Sequence, residues 1–207
     1  MLKKATNILF FEPSTGYGGS SRCLLDWLNN FDKDNLRPLV GVYFDGPAIA
    51  SIKSLGVPVI KIPYFRFIKK LLLLHKENNI ASYICVMLDL FINAPIVLIY
   101  CYWLIKANRI SLVYLNSGIT TGIPILLASH IAGVKNICHI HGTWDILKRE
   151  KVFSRLVNRI IVLTEVNYRK YSSLIGSENV FLIPNGIDMK KWLVDERDNS
   201  LREEFKI

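Results

Sequence analysis

The sequence predicts an α/β fold in which a doubly wound, mostly parallel sheet of about seven strands carries helices on both faces. Short apolar, β-branched runs alternate with stretches that favour helix, and most runs are apolar almost throughout. Strands buried on both faces of a parallel sheet have this pattern. The runs begin at Asn7 (NILFF), Leu39 (LVGVYF), Val57 (VPVIKI), Leu112 (LVYLN), Asn136 (NICHIH), Arg159 (RIIVLT) and Val180 (VFLIP).

Composition points to an anionic partner. The chain has 207 residues, enough for one sizeable core, and combines 51% apolar residues with a formal net charge of +9. Membrane lipid, nucleic acid and phosphorylated small molecules all fit that charge. Because the basic residues are dispersed and no nucleic-acid-binding module is recognisable, we expect no nucleic-acid partner.

The four cysteines are widely spaced, without a C-x-x-C pair, and no signal peptide precedes the first strand. We therefore expect a reduced, cytoplasmic protein without a metal site. Asp32 and Asp34 resemble a metal-binding acidic pair, but they lie between the first helix and the second strand, at the opposite edge of the sheet from the expected ligands. We interpret them as part of a solvated loop.

An apolar stretch from Ile80 to Ile105 interrupts the alternation, within a basic-flanked insert spanning 69–109. Because predicted strands lie on both sides of it, the stretch must return to its starting side of any bilayer. Asn93 and Pro95 predict a break into two helices that are each too short to span. We expect a helical pair lying in one membrane leaflet; two core helices, or packing against a missing partner domain, are the alternatives.

The loop after the first strand, EPSTGYGGSSR, places glycines directly before an amphipathic helix. Backbone N–H groups at such a helix start form an anion site for a phosphate or diphosphate, so Gly18, Gly19 and Ser20 are candidate substrate-binding residues. The alternative is a plain loop in which Ser20 or Ser21 caps the helix.

The same loop partly matches a dinucleotide-binding fingerprint. Gly16 and Gly18 have the required spacing, and Asp45 follows the second strand as a ribose-binding acid would. Ser21 stands where a third glycine is needed, and four residues separate the strand from the first glycine. An NAD-dependent oxidoreductase is therefore a minor alternative.

Small and polar residues also follow the later strands, at the edge where parallel sheets bind ligands. His141 ends the fifth run and can donate to a substrate hydroxyl or stabilise developing charge. His139 shares its face but lies deeper in the strand, and we expect a structural role for it. The other candidate substrate-binding residues of this edge are Asn116, Ser117, Gly142, Thr164, Glu165, Asn185 and Gly186.

Taken together, these motifs resemble the N-terminal domain of the family-4 retaining glycosyltransferases, which have the GT-B architecture of two Rossmann-like domains facing a cleft. The matching stretches are GYGGSSR from Gly16, VYLNS from Val113, HIHG from His139, RIIVLTE from Arg159 and IPNGID from Ile183. The resemblance implies one Rossmann-like domain over 1–188, with 189–207 leading towards a second, absent domain that binds the nucleotide-sugar donor.

The resemblance also implies roles and partners. His141 would contact the transferred sugar, Gly18 and Gly19 would approach phosphate groups, and Asn185 with Gly186 would form the interdomain hinge. A nucleotide-sugar would be the co-substrate, with no other cofactor, no metal and no enzymic nucleophile. We expect the acceptor-side half of a glycosyltransferase, acting on a lipid-linked or surface-polysaccharide intermediate at the inner face of the plasma membrane. The alternative is a non-catalytic, membrane-attached acceptor-binding subunit completed by a separate donor-binding protein.

Overall fold

The structure, a computed structural model, describes residues 5–65 and 87–186. Seven strands form one sheet in which every neighbouring pair is parallel. The strands are β1 (Thr6–Glu12), β2 (Leu36–Val42), β3 (Val59–Lys61), β4 (Leu112–Leu115), β5 (Lys135–Ile140), β6 (Arg159–Val162) and β7 (Val180–Leu182). Each falls within or overlaps one of the apolar runs, so the predicted fold class is confirmed.

Helices occupy the connections between the strands. They are α1 (Gly19–Asn30), α2 (Pro47–Ser54), α3 (Ala94–Ala107), α4 (Ile123–Ile131), α5 (Lys148–Phe153) and α6 (Glu165–Ile175). A π-helix over Asp89–Asn93 leads into α3, and short 3₁₀ turns cover Thr120–Gly122, Ser154–Leu156 and Ser177–Asn179.

The sheet has a core on each face. Side chains alternate along β1, so Ile8 and Phe10 pack with α1 and α2, whereas Leu9 and Phe11 pack on the side of α3 and α4. All four are at most 5% exposed. Burial on both faces explains why the strand was apolar almost throughout.

The strand order β3-β2-β1-β4-β5-β6-β7 reverses direction between β1 and β4. Such a switch point opens a crevice at the carboxyl ends of the strands, where ligands bind in open α/β sheets. The register pairs Phe11 with Leu115, so the next residues, Glu12 and Asn116, lie side by side at this crevice. The Asn116 N–H donates to the Phe11 carbonyl at 3.0 Å, which extends the ladder by one bond.

The predicted break at Asn93 and Pro95 is wrong. The backbone is helical without interruption from 87 to 107 and changes from π to α at Ala94. Pro95 comes just after the π-helix, where the backbone has just changed to α. Asn93 is buried and its Oδ1 accepts from the Phe65 N–H at 2.8 Å, so it ties the helix to the preceding chain.

One face of α3 belongs to the core. Val97, Cys101 and Ile105 are at most 1% exposed and pack in the cluster that contains Leu9 and Phe11. The core-helix alternative therefore holds for this face, while the earlier part of the insert, at 66–86, lies outside the described residues. Among the described residues, no helix combines the length and apolarity needed to cross a bilayer.

The loop containing Asp32 and Asp34 lies at the amino end of β2, and both residues are exposed. The Asp32 carboxylate accepts from the N–H groups of Asp34 and Asn35 at 3.0 and 3.3 Å. It organises a turn at the sheet edge away from the crevice, as predicted. The predicted linker at 189–207 lies outside the described residues.

Candidate functional site

Asn116 is the centre of a hydrogen-bonded group at the switch point. Its amide nitrogen donates to Glu12 Oε2 and, at 3.0 Å, to the carbonyl of Ser20 in the first turn of α1. Its amide oxygen lies 3.3 Å from Nε2 of His141. One buried side chain thus links the ends of β1 and β5 with the start of α1.

This network fixes the protonation of His141. A backbone carbonyl can only accept, so the Ser20 carbonyl requires the nitrogen of the Asn116 amide to face it. The amide oxygen then faces His141, whose Nε2 must carry the proton that it donates. In the neutral ring Nδ1 is therefore the acceptor, and it is buried without a hydrogen-bond partner among the described residues.

Glu12 is 1% exposed, yet both its carboxylate oxygens are paired. Oε1 accepts from the Ser14 N–H at 2.8 Å, and Oε2 accepts from Asn116. Burial raises the pKa of Glu12, and these two hydrogen bonds act in the opposite direction. Sequence reasoning assigned Glu12 no role, although it is the last residue of β1 and follows the same edge rule as the other site residues.

His139 is buried beside His141 and is held by a hydrogen bond. Nδ1 lies 2.8 Å from the hydroxyl of Tyr114, and the ring lies against His141 with the centroids 3.9 Å apart. Burial first, and the neighbouring His141 second, lower the pKa of His139 from 6.5 to about 3. Burial also lowers the pKa of His141. Both rings are therefore neutral at physiological pH.

The first turn of α1 is open to an anion. Gly18 is the N-cap and helix α1 begins at Gly19, so Ser20 and Ser21 lie inside the first turn and neither caps the helix. Among the described residues, no side chain caps the N–H groups of this end, and no acidic residue occupies the turn. The N–H groups at a helix start need partners, and a phosphate can supply them.

A cleft of about 1010 Å³ is lined by four of the predicted site residues, whereas His141 is not part of its lining. It runs from the start of α1 across the carboxyl ends of β4 and β5 to the turn after β7, where the Cys23 thiol contacts Asn185 Oδ1 at 3.3 Å. Its lining includes Gly19, Arg22, Asn116, His139, Asn185 and Gly186. A smaller cavity of about 390 Å³ lies at the amino ends of β6 and β7, beside the end of α6, and thus at the edge away from the expected ligands.

The remaining predicted residues do not line this cleft. The Gly142 carbonyl accepts from the buried Asn167 at 2.9 Å, and Ser117 Oγ is buried without a hydrogen-bond partner among the described residues. Thr164 and Glu165 start α6: the Thr164 hydroxyl accepts from the Asn167 N–H at 3.3 Å, and exposed Glu165 pairs with Arg169. These two contacts are those of a helix start.

Asp45 is engaged away from any ribose site. Its carboxylate is paired with Lys61 and, at 3.0 Å, with Lys53, and these hydrogen bonds lower its pKa. The acid that a dinucleotide site needs therefore forms ion pairs at the edge of the sheet. This arrangement weighs against the oxidoreductase alternative.

Cys23 also faces the two histidines. One potential ligand atom from each of Cys23, His139 and His141 lies within 4.8 Å of the other two. Burial and the nearby Asp26 raise the pKa of the Cys23 thiol. Sequence spacing could not reveal this group, because Cys23 is on α1 and the histidines are on and just after β5.

The fold is that of a Rossmann-like α/β domain with a cleft at the switch point of its sheet. The family model of Glycosyltransferase Family 4 matches residues 17–191. The chain therefore belongs to glycosyltransferase family 4, as the sequence motifs predicted. No curated protein matches the chain in sequence.

Solved structures share the fold. Anabaena HepE in complex with UDP has a TM-score of 0.65 and 19% identity, and the match covers 97% of this chain and 50% of HepE. A glycosyltransferase from Rickettsia africae has a TM-score of 0.65 and 15% identity over 98% of this chain and 50% of its own. The lipopolysaccharide outer core galactosyltransferase WaaB has a TM-score of 0.61 and 11% identity over 88% and 46%. The chain thus spans about half the length of these structures.

Proposed function

We propose that the chain is the acceptor-side half of a retaining glycosyltransferase, which moves a sugar from a nucleotide-sugar to an acceptor. Asn116 carries this proposal because it holds His141 as a neutral ring, with Nδ1 as acceptor, at the ligand edge of the sheet. The Nε2 proton is directed to Asn116, so a neutral His141 would accept from a sugar hydroxyl at Nδ1 and would not donate to it, contrary to the expectation from the sequence.

The uncapped start of α1 is the proposed phosphate contact. The N–H groups next to Gly18 and Gly19 would bind phosphate oxygens of donor or acceptor, and Arg22 lines the same cleft. HepE has been solved with UDP and with UDP-glucose. We infer a UDP-sugar as the first donor to test.

In the proposed reaction, the bond between the anomeric carbon and the diphosphate breaks, and the acceptor oxygen bonds that carbon on the same face. The acceptor proton passes to the leaving phosphate oxygen. In this proposal the chain positions the substrates and stabilises the charge that develops during transfer, and it requires no nucleophile of its own. The turn at Asn185 and Gly186 is the proposed hinge to a donor-binding half, which completes the cleft and excludes water.

Transfer should therefore need both halves. UDP-sugar and GDP-sugar turnover is measured in a membrane extract, with the chain alone and after addition of the protein encoded immediately downstream. We expect transfer only in the mixture, and loss of at least about tenfold with His141→Ala. His130→Ala, at an exposed position on α4, is the control. Equal transfer by the chain alone would contradict the proposal that transfer needs a separate donor-binding half.

Membrane attachment is the second part of the proposal. The face of α3 opposite the core is apolar and exposed: Ile99 is 57% and Trp103 65% exposed, and Phe91 before the helix is 69% exposed. Apolar side chains next to basic flanks suit the interface of an anionic membrane. The proposed location is the inner face of the plasma membrane, with a lipid-linked or surface-polysaccharide acceptor.

This face also favours the alternative function, a non-catalytic acceptor-binding subunit attached to the membrane. Flotation with vesicles of anionic and of neutral lipid measures the attachment directly. We expect anionic vesicles to bind more chain, and Trp103→Ser to reduce binding while Val152→Ser, at an apolar position on α5 that is 63% exposed, does not. Membrane attachment without sugar transfer in any mixture would favour the non-catalytic binding subunit. Vesicle binding that does not depend on anionic lipid would overturn the membrane proposal.

A further inference from the structure

Cys23, His139 and His141 form a cluster that the proposed transfer reaction does not use as a unit. Each offers a ligand atom within 4.8 Å of the other two. Cys23 and His139 also line the cleft. Thiol and imidazole are the donor types that zinc prefers in proteins.

The two imidazoles are arranged as metal ligands usually are. Each uses one nitrogen in a hydrogen bond: Nδ1 of His139 with the Tyr114 hydroxyl, and Nε2 of His141 with the Asn116 amide oxygen. The second nitrogen of each ring is buried without a partner among the described residues. A hydrogen bond on one nitrogen fixes the ring orientation of a ligating histidine and leaves the other nitrogen for the metal.

Burial makes these unpaired nitrogens unusual. His139 is only 6% exposed, and a buried polar atom without a partner costs about 1–3 kcal/mol. A bound cation would supply the missing partner for both rings at once. For His141 the unpaired Nδ1 is the atom that the Asn116 network leaves unprotonated in the neutral ring, as coordination requires.

We propose that Cys23 Sγ, His139 Nε2 and His141 Nδ1 bind Zn²⁺. Zinc–nitrogen and zinc–sulfur bonds of about 2.0–2.3 Å place tetrahedral ligands roughly 3.5 Å apart. One potential ligand atom of each residue lies within 4.8 Å of those of the other two, so coordination needs shifts of about 1.3 Å or less between these groups, and the side chains of Cys23 and His141 are only half-buried. Three protein ligands leave a fourth position open towards the cleft.

The proposed zinc site departs from the expectation of no metal, which rested on cysteine spacing in the sequence and on the family resemblance. It is independent of the proposed transfer reaction, because the ligands are present in this chain alone. If both hold, Zn²⁺ and the sugar compete for His141. Zinc would then inhibit transfer.

Direct binding tests the site without nucleotide-sugar or donor half. The metal-free chain is titrated with Zn²⁺ by calorimetry, and with Co²⁺ by absorption spectroscopy, in which a thiolate ligand produces a charge-transfer band. We expect one Zn²⁺ per chain and a thiolate–cobalt band. Cys23→Ser should abolish the band, and both Cys23→Ser and His141→Ala should weaken Zn²⁺ binding by at least about tenfold.

His130→Ala is the matched control, because His130 is exposed on α4 and should leave binding unchanged. Circular dichroism melts without metal establish that each variant is folded, which the partial exposure of Cys23 and His141 favours. No binding by the native chain would overturn the site. So would Zn²⁺ affinity that is equal in all three variants, or a cobalt spectrum without a thiolate band.

Discussion

The amide oxygen of Asn116 lies 3.3 Å from Nε2 of His141, while the amide nitrogen of the same side chain faces Glu12 and the carbonyl of Ser20. Because that carbonyl only accepts, the orientation of the amide and hence the proton on His141 follow from backbone geometry. The state of the histidine is thus set by β1 and α1, which lie on the other side of the switch point.

Asn116→Ala should release the His141 ring from its single tautomer. The variant removes the acceptor for the Nε2 proton and leaves the buried Glu12 carboxylate without one donor, so we expect a loss of about 1–3 kcal/mol in the free energy of unfolding. Nitrogen-15 NMR of the imidazole reports the tautomer directly. Asn108→Ala, at an exposed position after α3, should leave the His141 spectrum unchanged. An unchanged spectrum in Asn116→Ala would show that Asn116 does not set the tautomer.

Glu12→Gln should destabilise the domain although it preserves the shape of the side chain. Glu12 accepts from two N–H donors, and a glutamine has only one oxygen to offer. Asn116 cannot turn over to relieve the conflict, because its nitrogen is held by the Ser20 carbonyl. We expect a loss of about 1–3 kcal/mol in denaturant unfolding.

Glu178→Gln controls for the loss of a negative charge, since Glu178 is exposed, and should change stability by less than about 0.5 kcal/mol. Two variants of equal stability would mean that the buried carboxylate is not needed as a double acceptor.

The sequence predicted the framework of this site better than its connections. Runs that are apolar throughout predicted a parallel sheet, and the edge rule then placed Asn116, His141 and Asn185 at one end of it. What joins them depends on strand order, which local patterns do not contain. Glu12 contacts Asn116 only because β1 and β4 are neighbours in the sheet. Cys23 lies close to His139 only because the start of α1 and the end of β5 lie at the same edge of the sheet.

The apolar segment before β4 was harder to interpret for a related reason. Apolarity alone does not distinguish a membrane surface from a core, and α3 has both an exposed apolar face and a buried one. Pro95 indicated a break because proline interrupts helix interiors, but it lies just after a change from π- to α-helix within one continuous helix. The change of helix type has no signal in local propensity.

Stability should fall as the pH drops below 6.5, in part because of His139. Its pKa is lowered to about 3 in the folded protein, so between these values the unfolded chain takes up a proton that the folded chain does not. The free energy of unfolding therefore decreases towards acid, by roughly 1–2 kcal/mol between pH 6.5 and about 5 from this group.

His139→Phe keeps a ring against Tyr114 and His141 but cannot titrate. We expect urea unfolding at a series of pH values to give a shallower slope for this variant, whatever its stability at neutral pH. Parallel slopes for the native chain and the variant would mean that His139 does not stay neutral in the folded state.

Gly19, at the start of α1, and Gly46, just before α2, should respond differently to substitution by alanine. A Cβ on Gly19 would meet no atom within 4 Å, so Gly19→Ala should fold at least as stably as the native chain. A Cβ on Gly46 would lie 2.3 Å from the backbone oxygen of Thr15, in the loop before α1, so Gly46→Ala should lose about 1–3 kcal/mol. Thermal melts measure the stability of both variants.

The open space over Gly19 is where a phosphate would approach, so a methyl group there should weaken pyrophosphate binding. The amide NMR signals of Gly18 to Ser21 measure this binding. Gly19→Ala with native stability and native pyrophosphate affinity would show that the open helix start is not an anion site, whereas weaker binding without loss of stability would separate that role from folding.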